Sequence, residues 1–218
     1  MEFTCPRLEG AHVRLEPLER SHIEGLHAAA GQDLALYQWS FVPLTLAEMA
    51  RYVDSAITSR EAGTTFPFAT VRSADGVVIG STRFFDIERW QWPAGHREAN
   101  RPGPDGCEIG YTWLARDAIR TAANTEAKLL MLTHAFEAWR VHRVCFHTDA
   151  RNERSRAALT RIGARFEGVL RAHRLASDLT PRDSARFSII AAEWPAVKER
   201  LRERLSAHGE RPVTTTAG

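Results

Sequence analysis

The sequence predicts one α/β domain of the α+β kind, in which helices pack against a central sheet. The strongest signal is a helix at residues 126–139, where apolar residues recur every three or four positions. Runs rich in β-forming residues at 107–115 and 142–152 lie on either side of this helix and complete a strand–helix–strand unit. No break in composition marks a second domain, so we expect residues 1–207 to form a single unit.

The first half of the chain predicts one strand, two helices and a hairpin. One helix begins at Ser21, and a second begins at Thr45, which forms a capping box with Glu48. Asp75 and Gly76 supply the hairpin turn. The predicted strands of this half are 12–18, 66–71 and 77–87.

The second half predicts a long excursion, two further helices and two further strands. The excursion, residues 89–106, is rich in proline, glycine and tryptophan, and long loops in compact domains are often functional. It is interpreted either as a wall for an acceptor substrate or as an insertion whose tryptophans pack locally. The remaining elements are a helix at 152–163 that ends at Gly163, strands at 166–175 and 183–192, a helix after Pro195, and a disordered tail at 208–218.

The residues just before the 126–139 helix predict an anion site. They are small or polar, and they leave a helix N-terminus open. Asn124 or Thr125 is placed to cap the helix. Unpaired amides and the helix dipole favour an anion, such as a diphosphate. A dinucleotide-binding motif is excluded because the segment contains no glycine. The segment comprises Arg120, Thr121, Ala122, Ala123, Asn124 and Thr125.

Composition narrows the partners and the compartment. The formal net charge of +2 gives no field that selects nucleic acid or a membrane. No apolar run reaches membrane-spanning length. The three cysteines, Cys5, Cys107 and Cys145, lack metal-like spacing, so we expect free thiols, no metal site and a cytoplasmic location.

Three motifs carry a family resemblance. They are EIGYTWL at 108–114, NTEAKLLMLTHAFE at 124–137 and NERSRAALTRIGARFEGVLR at 152–171. With the order of elements, they resemble the GCN5-related N-acetyltransferase (GNAT) superfamily, in the branch that includes the ribosomal-protein acetyltransferases RimJ and RimL. The resemblance implies a mixed, mostly antiparallel seven-stranded sheet splayed between the fourth and fifth strands, and acetyl-CoA as cosubstrate.

The resemblance also implies a pyrophosphate loop at residues 119–124. The family pattern has a polar first residue, a central glycine and a small last residue, where this chain has Ile119, Ala122 and Asn124. An alanine still presents its N–H if its backbone stays right-handed, but its methyl group narrows the approach. The altered loop leaves open whether CoA binding is weakened.

Roles for individual side chains come from the same resemblance. Glu108 corresponds to the base near the acceptor amine, and Trp113 and Leu114 correspond to the bulged segment that aims an N–H at the thioester carbonyl. Many members protonate the departing thiolate with a tyrosine, but that position is Leu159 here. The RimL-like alternative is Ser155, with Asn152 placed to hold the pantetheine amide.

The other polar residues of this region are expected to be structural. His134, His142 and His147 show no ligand or triad spacing, and Asp149 and Arg151 finish a strand.

These expectations predict an enzyme that passes acetyl directly from CoA to a primary amine, either a protein N-terminus or a small molecule. The alternative from another class is a CoA-binding regulatory module without turnover. A homodimer is common among similar proteins and is expected as a possible state.

Overall fold

A computed structural model describes residues 6–31 and 33–209. Cys5 and residues 210–218 of the predicted tail lie outside the described residues, whereas residues 208 and 209 end the last helix. The described residues form eight strands in one sheet: β1 Leu8–Glu9, β2 Val13–Pro17, β3 Phe66–Arg72, β4 Val78–Glu88, β5 Gly106–Leu114, β6 Arg143–Asp149, β7 Arg165–Leu175 and β8 Pro181–Ile190. The prediction of seven strands missed only the two-residue β1.

Five α-helices cover the sheet: α1 Ile23–Ala30, α2 Leu46–Glu61, α3 Ala123–Thr133, α4 Glu153–Ile162 and α5 Trp194–Gly209. The predicted capping box of Thr45 and Glu48 is present at the start of α2. Asn152 caps α4, and Gly163 ends it with a φ of 98°. Ser21 does not cap α1, because it lies inside a short 3-10 turn and His22 precedes the helix.

The two faces of the sheet bury separate apolar clusters. Side chains of α3, α4 and α5 pack on one face, around Phe84, Phe146 and Met131. Helices α1 and α2 pack on the other face, around Met49 and Trp113. We call these the α3 face and the α1–α2 face. Strand residues alternate between them, because successive side chains of a strand point to opposite sides.

The predicted helix at 126–139 is present as α3 and a π-helical turn at His134–Ala138, and four of the apolar residues that predicted it are buried: Leu132, Ala135, Phe136 and Trp139. Leu129 and Leu130 are only partly buried, while Glu126 and Lys128 are buried. The Glu126 carboxylate accepts hydrogen bonds from three backbone N–H groups of the β1–β2 connection, at 3.0, 2.6 and 2.6 Å. Tertiary contacts therefore override the apolar periodicity here, since charged groups can be buried when they are hydrogen-bonded.

The sheet opens between β5 and β6, as the resemblance implies. All other neighbouring strands are antiparallel, whereas β5 and β6 are parallel and pair only at Gly106–Arg143, Cys107–Val144 and Glu108–Cys145. Beyond Glu108 the two strands continue for several residues without pairing. They form a wedge-shaped opening, which we call the cleft, with Glu108 at its closed end.

The excursion at 89–106 is held together by Asp105, which is 2% exposed. Its carboxylate accepts from the Trp90 backbone N–H at 2.7 Å and from the Trp92 indole N–H at 2.8 Å. Trp90 stacks on His142 with ring centroids 5.2 Å apart. These contacts lie at the closed end of the cleft and favour local packing of the tryptophans.

Candidate active site

The open end of the cleft collects two helix N-termini. Parallel strands have their carboxyl ends at the same edge of a sheet, so β5 and β6 both end there. Helix α3 follows β5 and α4 follows β6, so both helices begin at this edge. Each helix N-terminus carries unpaired N–H groups and a partial positive charge. The fold therefore creates an anion-attracting edge at the two helix N-termini.

The loop before α3 presents free amides. Among the described residues, no acceptor bonds the backbone N–H of Arg120, Thr121, Ala122, Asn124 or Thr125. The predicted cap by Asn124 or Thr125 is wrong, because the helix begins at Ala123 and both residues lie in its first turn. The Thr121 hydroxyl instead accepts from the Ala123 N–H at 3.2 Å.

Backbone conformation in this loop answers the question raised by its missing glycines. Ala122 is right-handed, with φ −64° and ψ −19°, so its methyl group causes no strain. Arg120 adopts the left-handed conformation instead, with a φ of 63°. A left-handed arginine is uncommon and costs on the order of 1 kcal/mol.

The other side of the open end is formed by the start of α4. The Asn152 side chain accepts from the Ser155 backbone N–H at 3.0 Å, so it is an N-cap. The half-buried Ser155 hydroxyl has no hydrogen-bond partner among the described residues. A cavity of about 300 Å³ lies between residues 151–154 and residues 35–39. Ser155 does not line this cavity, but its hydroxyl has no described partner and can bond an external group.

A segment of the α1–α2 connection crosses this open end. Residues 33–39 contact the β5 side of the cleft, where the Tyr37 hydroxyl donates to the Leu114 carbonyl at 3.1 Å. They also contact the α4 side, where Arg154 donates to the Leu36 carbonyl at 2.8 Å. Burial raises the pKa of Tyr37 to about 12, so its hydroxyl remains a donor. The segment ties the two sides of the cleft together on the α1–α2 face.

Glu108 is buried at the closed end, with only 3% of its surface exposed. Its Oε2 accepts from Arg174 at 3.1 Å and lies 2.8 Å from Nδ1 of His147, at ion-pair distance but without hydrogen-bond geometry. No described residue bonds its Oε1. Arg174 also binds Asp86 at 2.6 Å. One carboxylate oxygen is thus fixed, and the other is free to accept a proton.

A second histidine extends this cluster. The rings of His147 and His173 have centroids 4.8 Å apart. Burial lowers the pKa of His173, and the nearby His147 and Arg174 charges lower it further. The His173 ring is therefore suited to the neutral form, in which one nitrogen can accept a proton.

Three irregularities in the strands surround Glu108. Asp86, Tyr111 and Ala172 all have positive φ, of 46°, 52° and 47°, and each lies at a register shift. Strained backbone and bulges concentrate at functional sites, where they redirect side chains. The bulge in β5 lies at residues 111–112, just before the predicted Trp113 and Leu114. Those two residues pair with Ser81 and Gly80 of β4.

Lys128 is a further residue of the site region that the sequence did not indicate. Its ammonium is enclosed between α3 and β5 and donates to the Thr112 hydroxyl at 2.8 Å. Desolvation lowers the pKa of Lys128 to about 7. A buried lysine of this kind is part neutral near pH 7.

The structure brings the predicted residues together at two ends of one cleft. The loop residues 120–125, Asn152 and Ser155 lie at the open end, and Glu108 lies at the closed end. Sequence reasoning missed His147, Arg174 and His173. His147 stands two residues after Cys145, the partner of Glu108, and so lies on the same face as Glu108, but this relation is visible only once β5 and β6 are aligned.

The described residues contain neither a candidate membrane-spanning helix nor a candidate metal site. Within residues 6–31 and 33–209, no helix combines the length and apolar character needed to cross a bilayer. Over the same residues, no group of three or more His, Cys, Asp or Glu side chains is arranged to hold a metal ion.

Comparison with known proteins places this geometry in a family. The family model described as an acetyltransferase (GNAT) domain matches residues 12–165. A protein of Bacillus subtilis (strain 168), provisionally named ribosomal N-acetyltransferase YdaF, is 33% identical over 199 residues, which are 90% of this chain and 100% of that protein.

Solved structures of similar proteins have the same fold. An acetyltransferase structure from T. thermophilus is 32% identical, with a TM-score of 0.78 over 94% of this chain and 100% of that one. Mycobacterium smegmatis RimJ, solved in complex with CoA-disulfide, shares the fold with a TM-score of 0.71 at 22% identity, over 92% of this chain and 93% of that one. The chain belongs to the GNAT family of acetyltransferases.

Proposed function

We propose that this enzyme transfers acetyl from acetyl-CoA directly to the free amine of a protein N-terminus, with ribosomal proteins as the acceptor class. The observation that carries the proposal is the cleft between β5 and β6, which joins an anion-attracting edge to the buried Glu108 carboxylate. The name of the Bacillus relative supports the acceptor class. A cytoplasmic location is part of the proposal, in keeping with the buried free thiol of Cys145.

The residues at the open end fit a CoA molecule. Free amides at 120–122, 124 and 125 are suitable donors to a pyrophosphate at the start of α3. The right-handed Ala122 keeps its N–H accessible despite the absent glycine. The strand edges of β5 beyond Glu108 and of β6 beyond Cys145 are unpaired with each other, so their backbone groups can bond a pantetheine chain laid between them. When bound, acetyl-CoA supplies an activated acetyl group at its thioester.

Glu108 is the proposed base. An acceptor amine arrives mainly as an ammonium ion and must lose a proton before it can attack a carbonyl. The free Oε1 can take that proton, while Arg174 holds Oε2 and fixes the orientation of the carboxylate. His147 and His173 continue from Glu108 and offer nitrogens through which the proton can leave.

Polarisation of the thioester carbonyl is assigned to backbone N–H groups of β5. The bulge at residues 111–112 turns the backbone out of its regular pairing with β4, next to Trp113 and Leu114. An N–H aimed into the cleft from this segment stabilises the negative charge that develops on the carbonyl oxygen.

Ser155 is the proposed donor to the departing thiolate. Its hydroxyl has no described partner, and it lies in the first turn of α4, where the helix dipole favours negative charge. Asn152, through its cap, fixes this turn and so positions Ser155. A serine here stabilises a thiolate by hydrogen bonding more than by full proton transfer.

The test measures thiol release from acetyl-CoA with two kinds of acceptor. One set contains peptides with free N-termini, including the first residues of ribosomal proteins, and matched peptides with blocked N-termini. The other set contains small primary amines. We expect release with free peptides and none with blocked ones, with the product heavier by the mass of one added acetyl group in mass spectrometry.

The outcomes separate the candidates. Release with small amines but not peptides would contradict a protein acceptor. CoA binding by calorimetry without release for any acceptor would identify a binding module and refute the enzyme.

A further inference from the structure

Arg83 is a buried cation for which the described residues provide no anionic partner. It lies on β4 and is only 7% exposed. Its Nε is buried without a hydrogen-bond partner. No described carboxylate comes within ion-pair distance of its guanidinium, and no described group accepts from it. Buried charges are normally paired, because desolvation of a lone ion is costly.

Two aromatic rings lie close to the Arg83 guanidinium. The guanidinium carbon lies 5.1 Å from the ring centroid of Tyr52 on α2 and 4.0 Å from that of Tyr111 on β5. Such rings stabilise a cation over their faces, but they do not accept the in-plane N–H groups that bind carboxylates. Arg174 differs, since it already binds Asp86 and Glu108. Arg83 therefore keeps its hydrogen-bonding capacity.

The strand register places Arg83 beside the proposed base. Arg83 pairs with Gly110, and Phe85 pairs with Glu108, so the four positions form two adjacent rungs on the same face. Diagonal neighbours of this kind are about 7–8 Å apart. The Phe85 ring packs over Gly110, since a Cβ added to Gly110 would lie 2.8 Å from Cε1 of Phe85 and 3.8 Å from Oε1 of Glu108. The Arg83 guanidinium and Oε1 of Glu108, both without a hydrogen-bond partner among the described residues, thus lie on neighbouring rungs beside this ring.

We propose that Arg83 binds a carboxylate carried by the acceptor, so that the acceptor is an amine with an acidic group several bonds away. This inference rests on the acetyl transfer and the Glu108 base of the proposed function, and it holds for a protein or a small-molecule acceptor. Glu108 receives the amine, and the guanidinium of Arg83, diagonally opposite Glu108 across β4 and β5, receives the carboxylate. The chemistry fits either a peptide with an acidic side chain next to its N-terminal residue or a small ω-amino acid.

The test compares matched acceptors that differ only in one charge. The peptide arm uses two hexapeptides with free N-termini, one with Glu and one with Gln as second residue. The small-molecule arm uses 6-aminohexanoate and its amide. We expect the wild-type enzyme to favour the carboxylate by about tenfold or more in kcat/KM in one arm, which also identifies the source, because hydrogen bonds to charged groups contribute at least that much.

Substitution of Arg83 tests whether this residue causes the preference for the carboxylate acceptor. In Arg83→Met the ratio of kcat/KM values should fall to about one, mainly through a higher KM for the carboxylate acceptor, since binding energy lost equally from ground and transition states appears in KM. Arg83→Lys should keep part of the ratio, because lysine retains the charge without the fork. Arg14→Met, on β2 outside the cleft, should keep all of it. If Arg83 had a purely structural role, its substitution would lower kcat/KM for both acceptors by the same factor.

Three results would overturn the inference: a wild-type ratio within about twofold in both arms, an unchanged ratio in Arg83→Met, or complete loss of preference in a folded Arg83→Lys. If Arg83→Met does not fold by thermal melting, the wild-type ratio and Arg83→Lys decide. Turnover with no preference for the carboxylate acceptor refutes the role of Arg83 but not the proposed function. Absence of turnover with every acceptor refutes the proposed function and this inference with it.

Discussion

Replacement of Glu108 by glutamine removes the proposed base while preserving its shape. The amide oxygen of Glu108→Gln can still accept from Arg174, and Arg174 keeps Asp86 at 2.6 Å, so neither cation nor carboxylate is stranded. We therefore expect the free energy of unfolding to change by about 1 kcal/mol or less. A general base contributes about 100- to 10,000-fold to a rate, which corresponds to about 3–5 kcal/mol in the activation barrier.

The assay is thiol release from acetyl-CoA at saturating acceptor, run beside the wild type. We expect kcat to fall by about 100-fold or more, with the KM for acetyl-CoA changed less than about threefold, because the carboxylate faces the acceptor amine. Glu16→Gln is the matched control, since Glu16 is also an arginine-paired carboxylate but lies on β2, three strands from β5. A Glu108→Gln enzyme that is folded and within about threefold of the wild-type kcat would refute the reasoning.

Four further predictions concern the rest of the cleft and α3. Ser155→Ala should lower kcat more than CoA affinity measured by calorimetry, because its hydroxyl acts on the thiolate, and equal turnover would remove Ser155 from the mechanism. Arg120→Gly should have a free energy of unfolding about 1 kcal/mol higher than that of Arg120→Ala, since only glycine adopts a φ of 63° without strain. Urea titrations measure this difference, and equal stabilities of the two variants would show that the backbone at residue 120 is not strained. Glu126→Ala should lower the free energy of unfolding by about 2–4 kcal/mol, because three backbone N–H groups lose their acceptor, and a loss below about 1 kcal/mol would contradict this. The pKa of Lys128 is about 7 in the folded protein, below its value in the unfolded chain. At pH values between these two pKa values the unfolded chain binds one more proton than the folded protein, so the free energy of unfolding should rise with pH. Relative to Lys128→Met, the wild type should gain about 2 kcal/mol between about pH 7.5 and 9.5, and parallel pH profiles of the two proteins would refute the shift.

Local sequence signals were sufficient for most elements and for one end of the site. The period of apolar residues and the capping box of Thr45 and Glu48 predicted helices that are present. The Asn152 position at the start of α4 was also readable, because cap residues act over a few bonds. Glu108 came from the family resemblance, since no local pattern distinguishes a base from a paired carboxylate.

The errors arose where contacts come from distant parts of the chain. Glu126 and Lys128 are buried through the β1–β2 connection and Thr112, which lie far away in sequence or in another element. The predicted cap of α3 followed from residue type, but the Thr121 hydroxyl accepts from the first helical residue instead, one position after the left-handed Arg120. A left-handed arginine has no sequence signature, since residue preferences argue against it.

Arg83 and the histidine cluster required the strand register. A lone arginine in a predicted strand gives no indication that it will lack a partner. The pairing of Arg83 with Gly110, and the position of His147 two residues beyond Cys145, follow only once β4, β5 and β6 are aligned. The chemistry of the closed end is therefore a property of the sheet, whereas that of the open end is largely a property of single helices.

The most direct measurement of CoA placement is hydrogen exchange with and without CoA. If CoA lies in the cleft, amides of residues 120–125 at the start of α3 and of the unpaired strand edges at 109–114 and 146–149 should exchange more slowly when CoA is bound, because these are the groups left without acceptors or without pairing across the cleft. Protection confined to other surfaces, with these segments exchanging at the same rate in both states, would contradict the placement of CoA and with it the roles assigned to Glu108 and Ser155.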